Sequence, residues 1–284
     1  MSSAVNITPV PQAPKQSLPW ALWLRQIRAI FRLEIAKNFL GKRSVLIYLL
    51  ALLPIVMLGM LSLVPINNFA DLSHIFAWVY GALILRTIVF FGCAWIFMNL
   101  FRGELVDRSL HYYFLSPVRR EVLVLGKYFS GIATSTILFS ITTVVSMLLL
   151  YFGHFTSDSM RFFFDGHGLG QLLSYAGITI LACIGYGAFF LFIGLFFRNP
   201  IIPALLLYGW EFINFLLPPL LKKISVIHYL NSLLPIPVSE GPFAVVAEPT
   251  PAWIAIPSLL IVTTLILIAA CYRIRRLEIK YGGE

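Results

Sequence analysis

Two ionisable side chains stand deep inside long apolar runs: Arg86 in the run 75–101 and Glu211 in the run 201–221. Arg86 lies 11 residues after Ile75 and Glu211 lies 10 residues before Leu221. In helices rising about 1.5 Å per residue, both would stand roughly 15–16 Å below one surface. A charge in hydrocarbon is costly, and two of opposite sign at one depth suit either of two roles. They could form a gate or polar patch on a substrate path, or an ion pair that locks two helices together. Asn99 and Asn214 can hydrogen-bond between helices in the same way.

Motifs for other chemistry are missing. Gly126-Lys127 is followed by Tyr128, and Glu121 stands where a phosphate-cradling loop needs its upstream glycine. The five histidines, His74, His111, His154, His167 and His228, are scattered without metal spacing, and there is no H-E-x-x-H or G-x-S-x-G. Gly166-x-Gly168-x-Gly170 reads as a flexible turn. Cys93, Cys183 and Cys271 lack C-x-x-C spacing and read as small apolar residues. No catalytic residue, metal site or cofactor is therefore assigned to this chain.

A membrane must position these residues. Hydrophobic residues make up 59% of the chain and charged ones 12%, against about 45–50% and about 25% in soluble domains. The expected fold is an all-α polytopic membrane protein with six transmembrane helices, at about 44–64, 75–101, 122–152, 171–197, 201–221 and 252–272. Residues 1–19 contain Pro9, Pro11, Pro14 and Pro19 with little hydrophobic content and read as a disordered cytoplasmic tail. Over 20–43, Trp20, Trp23, Leu24, Ile27, Phe31, Ile35 and Phe39 recur at helical steps, with Arg25, Arg28, Arg32 and Lys37 between them. That is the pattern of an amphipathic interfacial helix, and its cations argue against the start of a spanning helix. The segment 222–251 is apolar in patches but broken by Pro235, Pro237, Pro242, Pro249 and Pro251. It reads as a broken re-entrant or interfacial element, tolerable only when packed on protein or near the surface.

The cations sort to one side. Of 21 Lys and Arg, seven lie in 1–43, five in 102–127, one at Arg198 and four in 273–284, while Arg161, Lys222 and Lys223 fall in the opposite loops. The positive-inside rule then puts both termini in the cytoplasm. The net charge of +9 is explained by orientation and by contact with membrane lipid, so no nucleic-acid partner is needed.

The longest charged interruption runs from Phe101 to Tyr128. Within the cytoplasmic segment 102–121, Glu104, Asp107 and Arg108 fall on one helix face, and Leu105, Leu110, Tyr113 and Phe114 can cover another. Ser116-Pro117 breaks the helix, and Arg119-Arg120-Glu121 restarts it into the third span. A short amphipathic helix, an elbow and a return into the membrane suit a part that is pushed from outside and moves two spans.

Asp107-Arg108-Ser109-Leu110, then Leu115-Ser116-Pro117-Val118-Arg119-Arg120-Glu121-Val122-Leu123 and Gly126-Lys127, resembles the permeases of ABC-2 type ATP-binding-cassette transporters. Arg108 stands where that family commonly has glycine. The resemblance implies a subunit that pairs with a second copy or a related permease and binds a separate ABC ATPase, which carries the ATP and Mg. It implies alternating access, most often for export, in a plasma membrane, and a bacterial source. By position, Asp107, Arg108 and Ser109 would form the ATPase-coupling segment together with Glu104, and Ser116, Pro117, Arg119 and Arg120 its exit. Trp20 to Leu40 would be the connecting helix. The alternative from the residues alone is an ATP-independent secondary transporter or channel with Arg86 and Glu211 as its relay, although paired halves are not evident. An intramembrane enzyme or an assembly scaffold is a third reading, and the missing catalytic motifs count against the enzyme.

Overall fold

The computed structural model describes residues 20–41, 44–64, 69–106, 115, 118–153, 163–164, 167–197, 199–238 and 249–276. Every regular element among them is a helix. In chain order the longer ones are α1 (Trp20–Leu40), α2 (Ser44–Leu61), α3 (69–106), α4 (Arg120–Phe152), α5 (Gly168–Phe196), α6 (Ile201–Ile213), α7 (Val226–Ser232) and α8 (Ala252–Arg275), with a single helical turn at Pro219–Lys222 between α6 and α7. Helix α3 is α-helical over Phe69–Val79, π-helical over Tyr80–Val89 and α-helical again over Phe90–Val106.

Five helices are long and apolar enough to cross a membrane: Ser44–Leu61, Leu72–Glu104, Arg120–Phe152, Gly168–Phe196 and Ala252–Arg275. They are compatible with a multi-pass membrane protein. The expected span at 201–221 is shorter than the sequence suggests. Its helix ends in a 3-10 turn at Asn214–Leu216, so it rises about 24 Å against a hydrocarbon layer of roughly 30 Å. Pro218 and Pro219 follow and stop it. Elsewhere the membrane-like setting tolerates proline, because α2 continues through Pro54 and α8 through Pro257.

Helices α4 and α5 form the centre. Helix α4 packs against α1, α2, α5 and α8, and α5 against α3, α4 and α8. Within its span α5 is 72% buried in protein, against 28% for α2 and 22% for α8, so α2 and α8 present most of their apolar surface outward. Phe97 of α3 sits at the central contact. A Cβ at Gly131 of α4 would stand 2.6 Å from its ring, and one at Gly187 of α5 would stand 2.5 Å from it. The missing side chains therefore make the slot that Phe97 fills. Gly194 is also a close-packing site, against the Met98 backbone, whereas a Cβ at Gly177 would meet nothing within 4 Å.

Hydroxyl groups join the helices in the half of the bundle away from the charged ends. Tyr80 donates to the carbonyl of Tyr175 at 3.0 Å and shares a 2.9 Å hydrogen bond with Thr179. Thr179 in turn lies 3.3 Å from the Thr143 hydroxyl, and Ser73 pairs with Tyr151 at 2.9 Å. These bonds tie α3, α4 and α5, where an unpaired polar group would be costly.

Gly187→Leu is expected to lower the unfolding midpoint in detergent, because overpacking a filled slot costs about 1–3 kcal/mol. Gly177→Leu should leave the midpoint near wild type. Thermal unfolding of both variants checks the contrast.

Candidate functional site

The C-terminal end of α3, the N-terminal end of α4, the middle of α1 and the C-terminal end of α8 gather at the basic end of the bundle. Gly126 of α4 sets the approach of α1, since a Cβ there would stand 3.0 Å from Ile30 Cγ2. The next residue, Lys127, enters that contact. Its Nζ donates to Glu34 Oε1 at 2.6 Å, to Glu104 Oε1 at 2.7 Å and to the Leu100 carbonyl at 2.8 Å. The ammonium therefore has an acceptor for each of its three protons. Lys127 is 0% exposed and both carboxylates are 1% exposed. Lys37, half exposed, approaches Glu104 from the surface at 3.4 Å. One buried cation thus binds α1, α3 and α4 together. Removing one partner from such a cluster strands a charge and typically costs about 3–5 kcal/mol.

A second set of contacts lies just outside. The Arg119 guanidinium stacks 4.7 Å from the Trp23 ring of α1. Arg120 Nη1 donates to the carbonyls of Ile274 and Arg275, at 3.2 and 3.0 Å. It thereby satisfies the terminal acceptors of α8, a favoured place for a cation. Arg275 Nε pairs with the Glu121 carboxylate. Val118, Arg119, Arg120, Glu121 and Arg275 line a groove of about 310 Å³.

The expected coupling residues divide accordingly. Glu104 turns inward and anchors α3 to Lys127. Arg119 and Arg120 hold the start of α4 to α1 and α8. Asp107, Arg108, Ser109, Ser116 and Pro117 lie outside the described residues. Sequence reading missed Glu34. Its signal was available: an acid four residues after Ile30 and beside Ile35, on the inward face of an otherwise basic helix. It read Lys127 only as part of a Gly-Lys pair.

Arg86 and Glu211 do come together. With Phe90, Tyr186, Tyr208 and Phe212 they line a cavity of about 10 Å³, room for about one water. Arg86 stands in the π-helical stretch of α3. Glu211 has a role that its position in an apolar run did not suggest. Its carboxylate accepts hydrogen bonds from Ser225 Oγ at 2.6 Å and from the backbone N–H groups of Val226 and Ile227 at 3.0 and 2.9 Å. It caps α7 from across a turn, satisfying donors that a helix start leaves open. Asn214 Nδ2 donates to the Lys222 carbonyl at 3.5 Å, and Lys222 is only 4% exposed. These side chains fold the chain after α6 back onto α5 and α8. Among the described residues no cluster of three or more His, Cys, Asp or Glu could hold a metal ion.

Lys127→Met is expected to destabilise the protein by about 3–5 kcal/mol, and the triple replacement Glu34→Leu, Glu104→Leu, Lys127→Met by clearly less, because no charge is then stranded. Denaturant titration in detergent distinguishes them. Exchanging Arg86 and Glu211 is expected to unfold the α6–α7 corner, since an arginine at 211 would face three donors instead of accepting from them. If the exchange folds like wild type, the capping role is wrong. Compared with family models, with characterised proteins and with solved structures, the chain matches none of them.

Proposed function

We propose that this chain is the permease subunit of an ABC exporter, working with a separate ATPase that docks on the segment 102–121. The observation that carries the reading is the clamping of both ends of that segment. On one side Glu104, two residues before the end of α3, is held by buried Lys127 and through it by Glu34 of α1. On the other, Arg120 at the start of α4 is held to the end of α8. A push on a segment so clamped is not absorbed locally; it displaces α1, α3, α4 and α8 together. The resemblance of 107–127 to ABC-2 permeases supplies the source of the push. These 284 residues carry no phosphate-binding loop, and in this reading the motor is a separate subunit.

In this reading the basic end is cytoplasmic, as the distribution of Lys and Arg favours. Ile201–Leu216 makes a shortened fifth crossing, with local thinning of the bilayer absorbing the mismatch. Helix α7 is the re-entrant element, acceptable because Ile227 and Leu230 are fully buried against the bundle. A second copy or a related permease completes the path, and the ATPase switches it between inward- and outward-facing states.

One observation favours the second reading, an ATP-independent transporter or channel. The π-helical stretch Tyr80–Val89 runs for ten residues, where such segments are usually single turns at functional sites, and it places Arg86 at the cavity shared with Glu211.

A Walker A ATPase is expected to copurify with the intact protein, and inverted vesicles are expected to take up substrate only with ATP. Arg119→Glu/Arg120→Glu should abolish uptake, with Arg119→Glu alone as the milder variant that leaves the α8 contact in place. No copurifying ATPase, together with wild-type uptake in both variants, would defeat the proposal. Uptake driven by an ion gradient without ATP would favour the second reading.

A further inference from the structure

The groove at the corner of α4 and α8 has a lining of definite chemistry. Its lining carries three guanidinium groups, of Arg119, Arg120 and Arg275, against the single carboxylate of Glu121. Each guanidinium is oriented by a contact: Arg119 over Trp23, Arg120 at the α8 carbonyls, Arg275 on Glu121. Stacking on a ring consumes none of the Arg119 N–H donors. A guanidinium has five such donors in a fixed fork, and pre-oriented forks suit the oxygens of a phosphate. Arg119 is exposed and the Arg275 side chain is 65% exposed, so the groove opens outward.

A second, independent feature separates a lipid from a soluble anion. The groove lies at the ends of two candidate membrane helices, and helical steps from its lining residues lead to exposed apolar side chains on both. On α8, Tyr272 and Ile268 precede Arg275 by about one and two turns, and are 54% and 60% exposed. On α4, Leu125 and Phe129 follow Glu121 at four-residue steps, and Phe129 is 47% exposed. The two helices are packed side by side. A cationic groove above an open apolar face between two helices matches an amphiphile with a negatively charged head.

We propose that the groove between the N-terminus of α4 and the C-terminus of α8 binds the phosphate headgroup of an anionic phospholipid, with acyl chains lying along Phe129, Ile268 and Tyr272. The lipid then bridges the exit of the charged segment to the last helix and reinforces the Arg120 contact. The site is independent of the identity of any motor or transported substrate.

The test uses the full chain in mild detergent, with phosphatidylglycerol and phosphatidylcholine of identical chains supplied at equal concentration and retained lipid read by native mass spectrometry. Wild type is expected to retain the anionic lipid in clear preference. Arg119→Gln/Arg275→Gln should weaken that preference roughly 30-fold, and Arg119→Gln alone about fivefold, following the usual contribution of a basic side chain near an anionic surface. Arg25→Gln/Arg28→Gln, an equal loss of charge on α1, should change it less than about twofold. If the double variant does not fold, Arg119→Gln against Arg25→Gln decides. Equal loss in groove and α1 variants would reduce the effect to diffuse electrostatics and overturn the proposal. So would displacement of the bound lipid by inorganic phosphate, which would mark a soluble-anion site.

Discussion

A lysine ammonium with no access to water has to be surrounded by acceptors, and the basic end of this protein is arranged to supply them to Lys127. Two carboxylates and one backbone carbonyl, from α1 and α3, converge on it. None of the three helices can shift alone without stranding a buried charge, so their relative position is set far more tightly than apolar contact would set it. Gly126 makes the arrangement possible, because α1 must approach α4 at Ile30 before Glu34 can reach the ammonium.

This changes the character of α1. A helix with four cations and an apolar stripe could rest on a membrane surface with no protein contact. Here its inward face carries Ile30 and Glu34, both buried, while Trp20, Leu24 and Leu33 remain exposed beside Arg25, Arg28 and Arg32. The helix is built to touch protein on one side and to offer apolar and basic groups on the other. Through Glu34 and Lys127 the helix is fixed to α4, and through Glu104 to α3.

The opposite corner uses the same physics with other groups. Glu211 holds the start of α7, and Asn214 holds the turn before it. Between these two groups the helices close on glycine slots and aromatic rings such as Phe97, and beyond Glu211, away from the basic end, tyrosine and threonine hydroxyls stitch them together. Two groups of buried charge have a clear mechanical consequence: one fixes the helices that flank the charged segment, and the other sets where α7 begins after the prolines that stop α6.

Much of the architecture was legible in the chain. Apolar runs of bilayer length, interrupted by charge and proline, marked the five long helices to within a few residues at most ends, and the three- and four-residue steps marked α1 from Trp20 to Leu40. Those signals are local: backbone groups in an apolar setting must bond within the protein, apolar runs of about 20 residues do so as helices, and periodicity shows their faces. The partners of the charges were not legible. Glu34, Glu104 and Lys127 are separated by 70 and 23 residues along the chain, and their convergence depends on which helices become neighbours. Glu211 and Arg86 matched in depth and do line one cavity, but nothing in the run showed that the Glu211 oxygens also accept from the backbone of a helix that begins beyond two prolines. The sequence by itself determined which segments are helical and which cannot sit in water. Only the tertiary structure decided which charge meets which, because that choice is made by side-chain shape and close approach across helices, and single-chain periodicity carries no record of either.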